Sequence, residues 1–111
     1  TENVETMESM FEGCVKFNQC LCDLKTSKVI NFKNFLKGCV EFDQELDMFD
    51  TSSATDLSGF LAGATSFNRP ISGFDTSNVI NFNNMLDGAT SFNESVPNFN
   101  TAPKLPGTNK Y

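Results

Sequence analysis

The stretch "FDTSNVINFNNMLDG", residues 74–88, has an Asp-Thr-Ser cap, apolar residues at three- and four-residue spacing, and a closing glycine. Alone it predicts a short amphipathic helix. Twenty-five residues earlier, at 49–63, stands "FDTSSATDLSGFLAG", with the same punctuation. The interval, more than either phrase, determines the architecture, because a fixed period of this length marks coils that stack on one another.

The register holds through 1–25, 26–50, 51–75 and 76–100, leaving "TAPKLPGTNKY" at 101–111 as a partial repeat or C-terminal linker. Each coil opens with threonine: Thr1, Thr26, Thr51 and Thr76. Place 13 is Gly13, Gly38, Gly63 and Gly88, and place 17 is Phe17, Phe42, Phe67 and Phe92. Place 24 carries Leu24, Phe49, Phe74 and Phe99. All twelve phenylalanines fall on five of the 25 places (7, 10, 11, 17 and 24), as inward residues of a shared core would. Scattered surface aromatics would not repeat in this way. Place 18, next to the aromatic column, is Asn18, Asp43, Asn68 and Asn93. Polar side chains repeated there are expected to form a ladder that satisfies backbone groups of neighbouring coils.

Within the fourth coil, Thr76-Ser77-Asn78 offers caps, and Val79, Phe82, Met85 and Leu86 lie on one helical face before Gly88. Residues 89–99 read as extended, with Phe92 and Val96 on one face and Pro97 beyond. The expectation is therefore an α/β repeat solenoid: four 25-residue coils, each with a short helix and a short strand, the strands stacking in parallel. A helix of two turns is unstable alone and would depend on its neighbours.

These phrases, with Asp-Thr-Ser, an apolar pair before Gly-Ala, and Ser-Phe-Asn, resemble the 25-residue repeat of BspA-type leucine-rich-repeat proteins. The variety they are most similar to is that of mycoplasma-type surface lipoproteins, and the resemblance spans residues 1–100. It implies a right-handed leucine-rich-repeat-like solenoid used for binding at a cell or virion surface, with no catalytic residues. Cys14 and Cys39 depart from it where alanine is usual, and phenylalanine stands at place 24 where tryptophan is frequent.

The remaining chemistry is sparse. The chain has no histidine, no apolar run long enough to span a bilayer, and a net charge of −6. Residues 1–50 carry ten of its fourteen acids and five of its eight bases, an imbalance that disfavours a nucleic-acid backbone as partner. Cys14 and Cys39 share a place with Ala64 and Ala89 and read as small buried residues, an intercoil disulfide being the alternative. Cys20 and Cys22 flank Leu21 and read as outward thiols suited to a reducing interior; their spacing with the other two fits no standard zinc site. In "EFDQELDMFD", residues 41–50, Asp43, Glu45 and Asp47 alternate. A solvated acidic patch is the plain reading and calcium the sharper one, although no EF-hand loop is present. Leu105-Pro106-Gly107-Thr108-Asn109 approaches a sorting signal but ends in asparagine, and reads as linker.

With no histidine to activate a nucleophile and no phosphate-cradling glycine loop, an enzyme is not expected. No cofactor or metal is expected. The function read from the sequence is protein interaction through a repeat-built face, its contact residues Glu45, Asp47, Arg69, Ser72, Glu94 and Ser95. The alternative is a structural component of a virion or cell-surface layer, because solenoids need covered ends and the repeat starts in phase. Neither nucleic acid nor membrane insertion is expected of these residues. The resemblance points to a surface, the cysteines to a reducing compartment.

Overall fold

The computed structural model describes residues 4–94. Ser95, Val96, Pro97 and Phe99 lie outside the described residues, as do Thr1 and the tail from 101.

The chain winds in coils that lie one on the next in the 25-residue register, but the coils are built from turns. Among the described residues there is no helix, and parallel pairing consists of three isolated bridges: Thr6 to Asn31, Asn31 to Asp56, and Asp56 to Asn81. The expected α/β leucine-rich-repeat-like solenoid, with a helix and a strand in each coil, is thereby overturned. The reason is visible in the hydrogen bonds. In an α-helix each amide donates to the carbonyl four residues back. In the leg from place 7 to place 13, alternate amides leave the coil altogether. Phe32, Asn34, Leu36 and Gly38 donate to the carbonyls of Asp56, Ser58, Phe60 and Ala62 in the next coil, at 2.7–2.9 Å. The amides between them close turns instead: Phe35 donates to Phe32, Lys37 to Asn34 and Cys39 to Leu36. Each turn advances three residues, so apolar side chains recur at an interval that imitates a helix.

Left-handed residues enforce this path. Place 9 has positive φ in every coil: Ser9 at 57°, Asn34 at 55°, Gly59 at 64° and Asn84 at 59°. One such residue in mid-segment ends a right-handed helix, and asparagine and glycine are the types that tolerate it. Place 13 is left-handed as well, with φ of 75–77° at the four glycines. A β-carbon on Gly63 would also meet the backbone of Gly38 at 3.6 Å.

The strand expected over 89–99 is likewise absent as far as Glu94. Phe92 N–H closes a turn onto Ala89, as Phe67 does onto Ala64 and Phe42 onto Cys39. A second turn follows in the earlier coils, where Phe49 donates to Leu46 and Phe74 to Ile71. The parallel bridges fall instead at place 6, within the stretch read as helix. There the side chain bends the chain at once: Asn31, Asp56 and Asn81 each accept, through Oδ1, the amide two residues on.

The core fills the inside of every coil. Phe32, Phe35, Phe42, Phe60, Phe67 and Phe82 are its largest fully buried side chains, with Leu46, Leu57, Leu61 and Ile71 among them. The place-17 rings stack along the axis, Phe17 on Phe42 at 5.7 Å, Phe42 on Phe67 at 6.0 Å and Phe67 on Phe92 at 6.1 Å. Phe49 and Phe74 at place 24 are buried and pack on Phe32 and Phe60. Thr26, Thr51 and Thr76 are buried too. Thr26 and Thr51 accept the amides of Asp50 and Asp75 through their hydroxyls, at 2.9 Å, so these threonines tie coils together as well as opening them.

Candidate functional site

The corner after the aromatic column, places 18–23, holds most of the surface chemistry read from the sequence. Its foundation is the polar column. Asn18, Asp43 and Asn68 each accept, through Oδ1, the amide of the residue one coil on: Asp43, Asn68 and Asn93, at 2.8–3.0 Å. Each bond satisfies an amide that the bend beside the phenylalanine would otherwise leave unpaired. Three places further on, Leu21, Leu46 and Ile71 plug the core. Places 20 and 22 on either side of these plugs point outward.

On this base Arg69 bridges two coils. Its Nε donates to Asp43 at 3.1 Å and its Nη1 to Glu45 at 3.2 Å. The hydrogen bond to Asp43, then its charge, raises the guanidinium pKa still further. Asp47 is not part of the clamp. Loss of some hydration, followed by the nearby Glu45 carboxylate, pushes its carboxyl pKa up. Arg69 is half-buried, whereas Glu45, Asp47, Ser72 and Glu94 are exposed. Of the six contact residues read from the sequence, the structure brings Arg69 and Glu45 into direct contact. Ser72 occupies the place of Asp47 one coil on, and Glu94 the place of Arg69, and neither hydrogen-bonds to the clamp; Ser95 is outside the described residues. Asp43, assigned to the ladder, serves the clamp as well. The alternating carboxylates do not form a calcium-like cradle, since Asp43 and Glu45 face Arg69. Among the described residues no group of three His, Cys, Asp or Glu side chains is placed to hold a metal ion.

Cys20 and Cys22 are joined by a disulfide, where the sequence suggested two open thiols. Cys14 and Cys39 are free: Cys39 is fully buried, while Cys14 in the first coil is exposed. The Cys39 thiol donates to the Phe11 carbonyl at 3.0 Å, and burial, then Cys14, pushes its pKa up to about 11. Sequence reasoning saw the small size of place 14 but not the difference in exposure between Cys14 and Cys39.

A second feature was missed. Coil three carries Ser58, Gly59 and Ala62 where its neighbours carry longer side chains, and a groove of about 360 Å³ opens there. Lys33 and Lys37 form one wall, Asn84 and Asp87 the other. The signal was in the repeat alignment: three small residues at places filled in the two flanking coils by Lys, Asn or Asp. No helix among the described residues is long and apolar enough to cross a membrane.

The family model described as "Mycoplasma protein of unknown function, DUF285" matches residues 1–99, and the chain belongs to that family. This is the mycoplasma-type kinship anticipated from the repeat; it carries no leucine-rich-repeat assignment with it. No curated protein and no solved structure matches the chain.

Proposed function

We propose that this chain is a non-catalytic protein-interaction module whose contact face is the corner formed by places 20 and 22, with Arg69 at its centre. The observation that carries the reading is the Arg69 clamp on Asp43 and Glu45. It holds a charged group across two coils on a frame that repeats beneath it. Side chains held in place before a partner arrives lose less entropy on binding. Glu45 within the clamp and Asp47 beside it are both exposed, so the face presents acidic groups suited to a basic patch on another protein. The lack of histidine throughout the chain supports the non-catalytic part of the reading.

The test is capture of a partner by the immobilised protein, compared with a Glu45→Lys/Asp47→Lys double variant and with Glu12→Lys as a charge control. Loss of the partner with the double variant and retention with the control is the expected result. Equal capture by all three forms removes this face from consideration.

A further inference from the structure

A disulfide usually serves a fold by restricting the unfolded chain, and its contribution grows with the loop it closes. The bridge between Cys20 and Cys22 encloses one residue, Leu21. It restricts the unfolded chain hardly at all.

The repeat supplies internal controls for the folded state. In the next two coils the cysteine places are held by Glu45 and Asp47, then by Pro70 and Ser72. The corner is nonetheless the same. Leu24 N–H closes a turn onto Leu21 at 3.1 Å, Phe49 onto Leu46 at 3.0 Å and Phe74 onto Ile71 at 3.1 Å. The central residue is buried each time, at 6% exposure for Leu21 and 0% for Leu46 and Ile71. The chain thus makes this corner twice without sulfur. What the bridge adds is chemistry at the surface: Cys20 and Cys22 are both exposed, while Leu21 fixes them to the core.

One contact gives the bridge a direction. The Cys22 amide donates to Cys20 Sγ at 3.2 Å. Negative charge developing on that sulfur has a donor already in place, whereas among the described residues no hydrogen-bond donor meets Cys22 Sγ. A thiol whose anion is stabilised is the better leaving group in exchange.

We infer that Cys20-Leu21-Cys22 is a thiol–disulfide exchange site that accepts an accessible thiolate, with Cys22 as the sulfur attacked and Cys20 as the sulfur released. The incoming thiolate forms a new S–S bond to Cys22 Sγ as the Cys20–Cys22 bond breaks. Cys20 leaves as a thiolate and takes a proton from water. A second equivalent of thiol then attacks the mixed disulfide, departs as the oxidised disulfide of the reagent, and leaves both cysteines reduced. Two electrons pass from two thiols to one bridge. Alternatively Cys20, two residues away, attacks Cys22 Sγ of the mixed disulfide, expels the incoming thiol as its thiolate and restores the bridge, so the first adduct is reversible. The site lies on the face assigned above to protein contact but does not depend on that reading, because a small thiol suffices to reveal it.

The experiment uses the full chain and reduced glutathione, quenched with iodoacetamide and mapped by tandem mass spectrometry. The expected product carries glutathione on Cys22 and the alkyl group on Cys20. Full reduction is expected to shift the melting temperature by less than about 2 °C. Cys14→Ser is expected to leave the exchange intact, and Cys22→Ser to abolish it without loss of folding. A bridge that resists glutathione overturns the proposal. So does a melting temperature that drops by more than about 5 °C on reduction, which would make the bridge structural. Glutathione found on Cys20 with the alkyl group on Cys22, or a chain in which oxidised glutathione fails to form the Cys20–Cys22 link, overturns it as well.

Discussion

Places 17 and 18 and places 20 and 22 lie within one corner of each coil, yet the chain treats them in opposite ways. At place 17 every coil has phenylalanine, and the rings stack nearly parallel from Phe17 to Phe92. At place 18 every coil has Asn or Asp, and in coils one to three its oxygen accepts the next coil's amide. At places 20 and 22 the same backbone carries a disulfide in coil one, two carboxylates in coil two, and Pro70 with Ser72 in coil three. The first pair of places is fixed because each side chain must fit its own copy one coil away. The second faces solvent, where no copy constrains it. Architecture is therefore written where residues repeat, and surface chemistry where they do not.

The largest way to break this contrast is Phe67→Ala. It removes a fully buried ring flanked on both sides by its own column, and is expected to cost about 3–5 kcal/mol in chemical denaturation. Glu45→Ser, two places beyond Asp43, is expected to change stability by less than about 0.5 kcal/mol while weakening partner capture. If the two variants proved equally destabilising, the division between frame and face would fail. A finer test uses Cys39, which stands where coil three has Ala64. Its thiol pKa is raised to about 11, so the folded state holds its proton more tightly than the unfolded chain does. That contribution is complete below the unfolded thiol pKa of about 8.5 and is lost as pH rises through the folded value. Thermal melts of the wild type are expected to weaken over that alkaline window, and Cys39→Ala to flatten the decline.

The sequence makes the repeat legible because inward residues report on themselves: Phe, Gly and Thr each return to one place. Local geometry was harder to read. Val79, Phe82, Met85 and Leu86 have helical spacing, but fused three-residue turns give nearly the same interval. What separates the two is Asn84 with Asn34, Gly59 and Ser9, the left-handed column between those apolar residues. Asparagine and glycine there were a usable signal, blurred by Ser9. The Arg69 clamp was only partly legible, since Glu45 and Arg69 lie 24 residues apart and nothing local links them. The Cys20–Cys22 bridge depends on a bend around Leu21 that a strand reading of the same residues excludes.

Alternate amides of the first leg bond to the next coil rather than to their own. Scalar couplings across hydrogen bonds, measured by NMR on isotope-labelled protein, test it directly. The structure predicts couplings from the Asn34 amide to the Ser58 carbonyl and from the Gly59 amide to the Asn83 carbonyl. Couplings from these amides to the carbonyls of Ile30 and Thr55, four residues before each, would show a helix and contradict it.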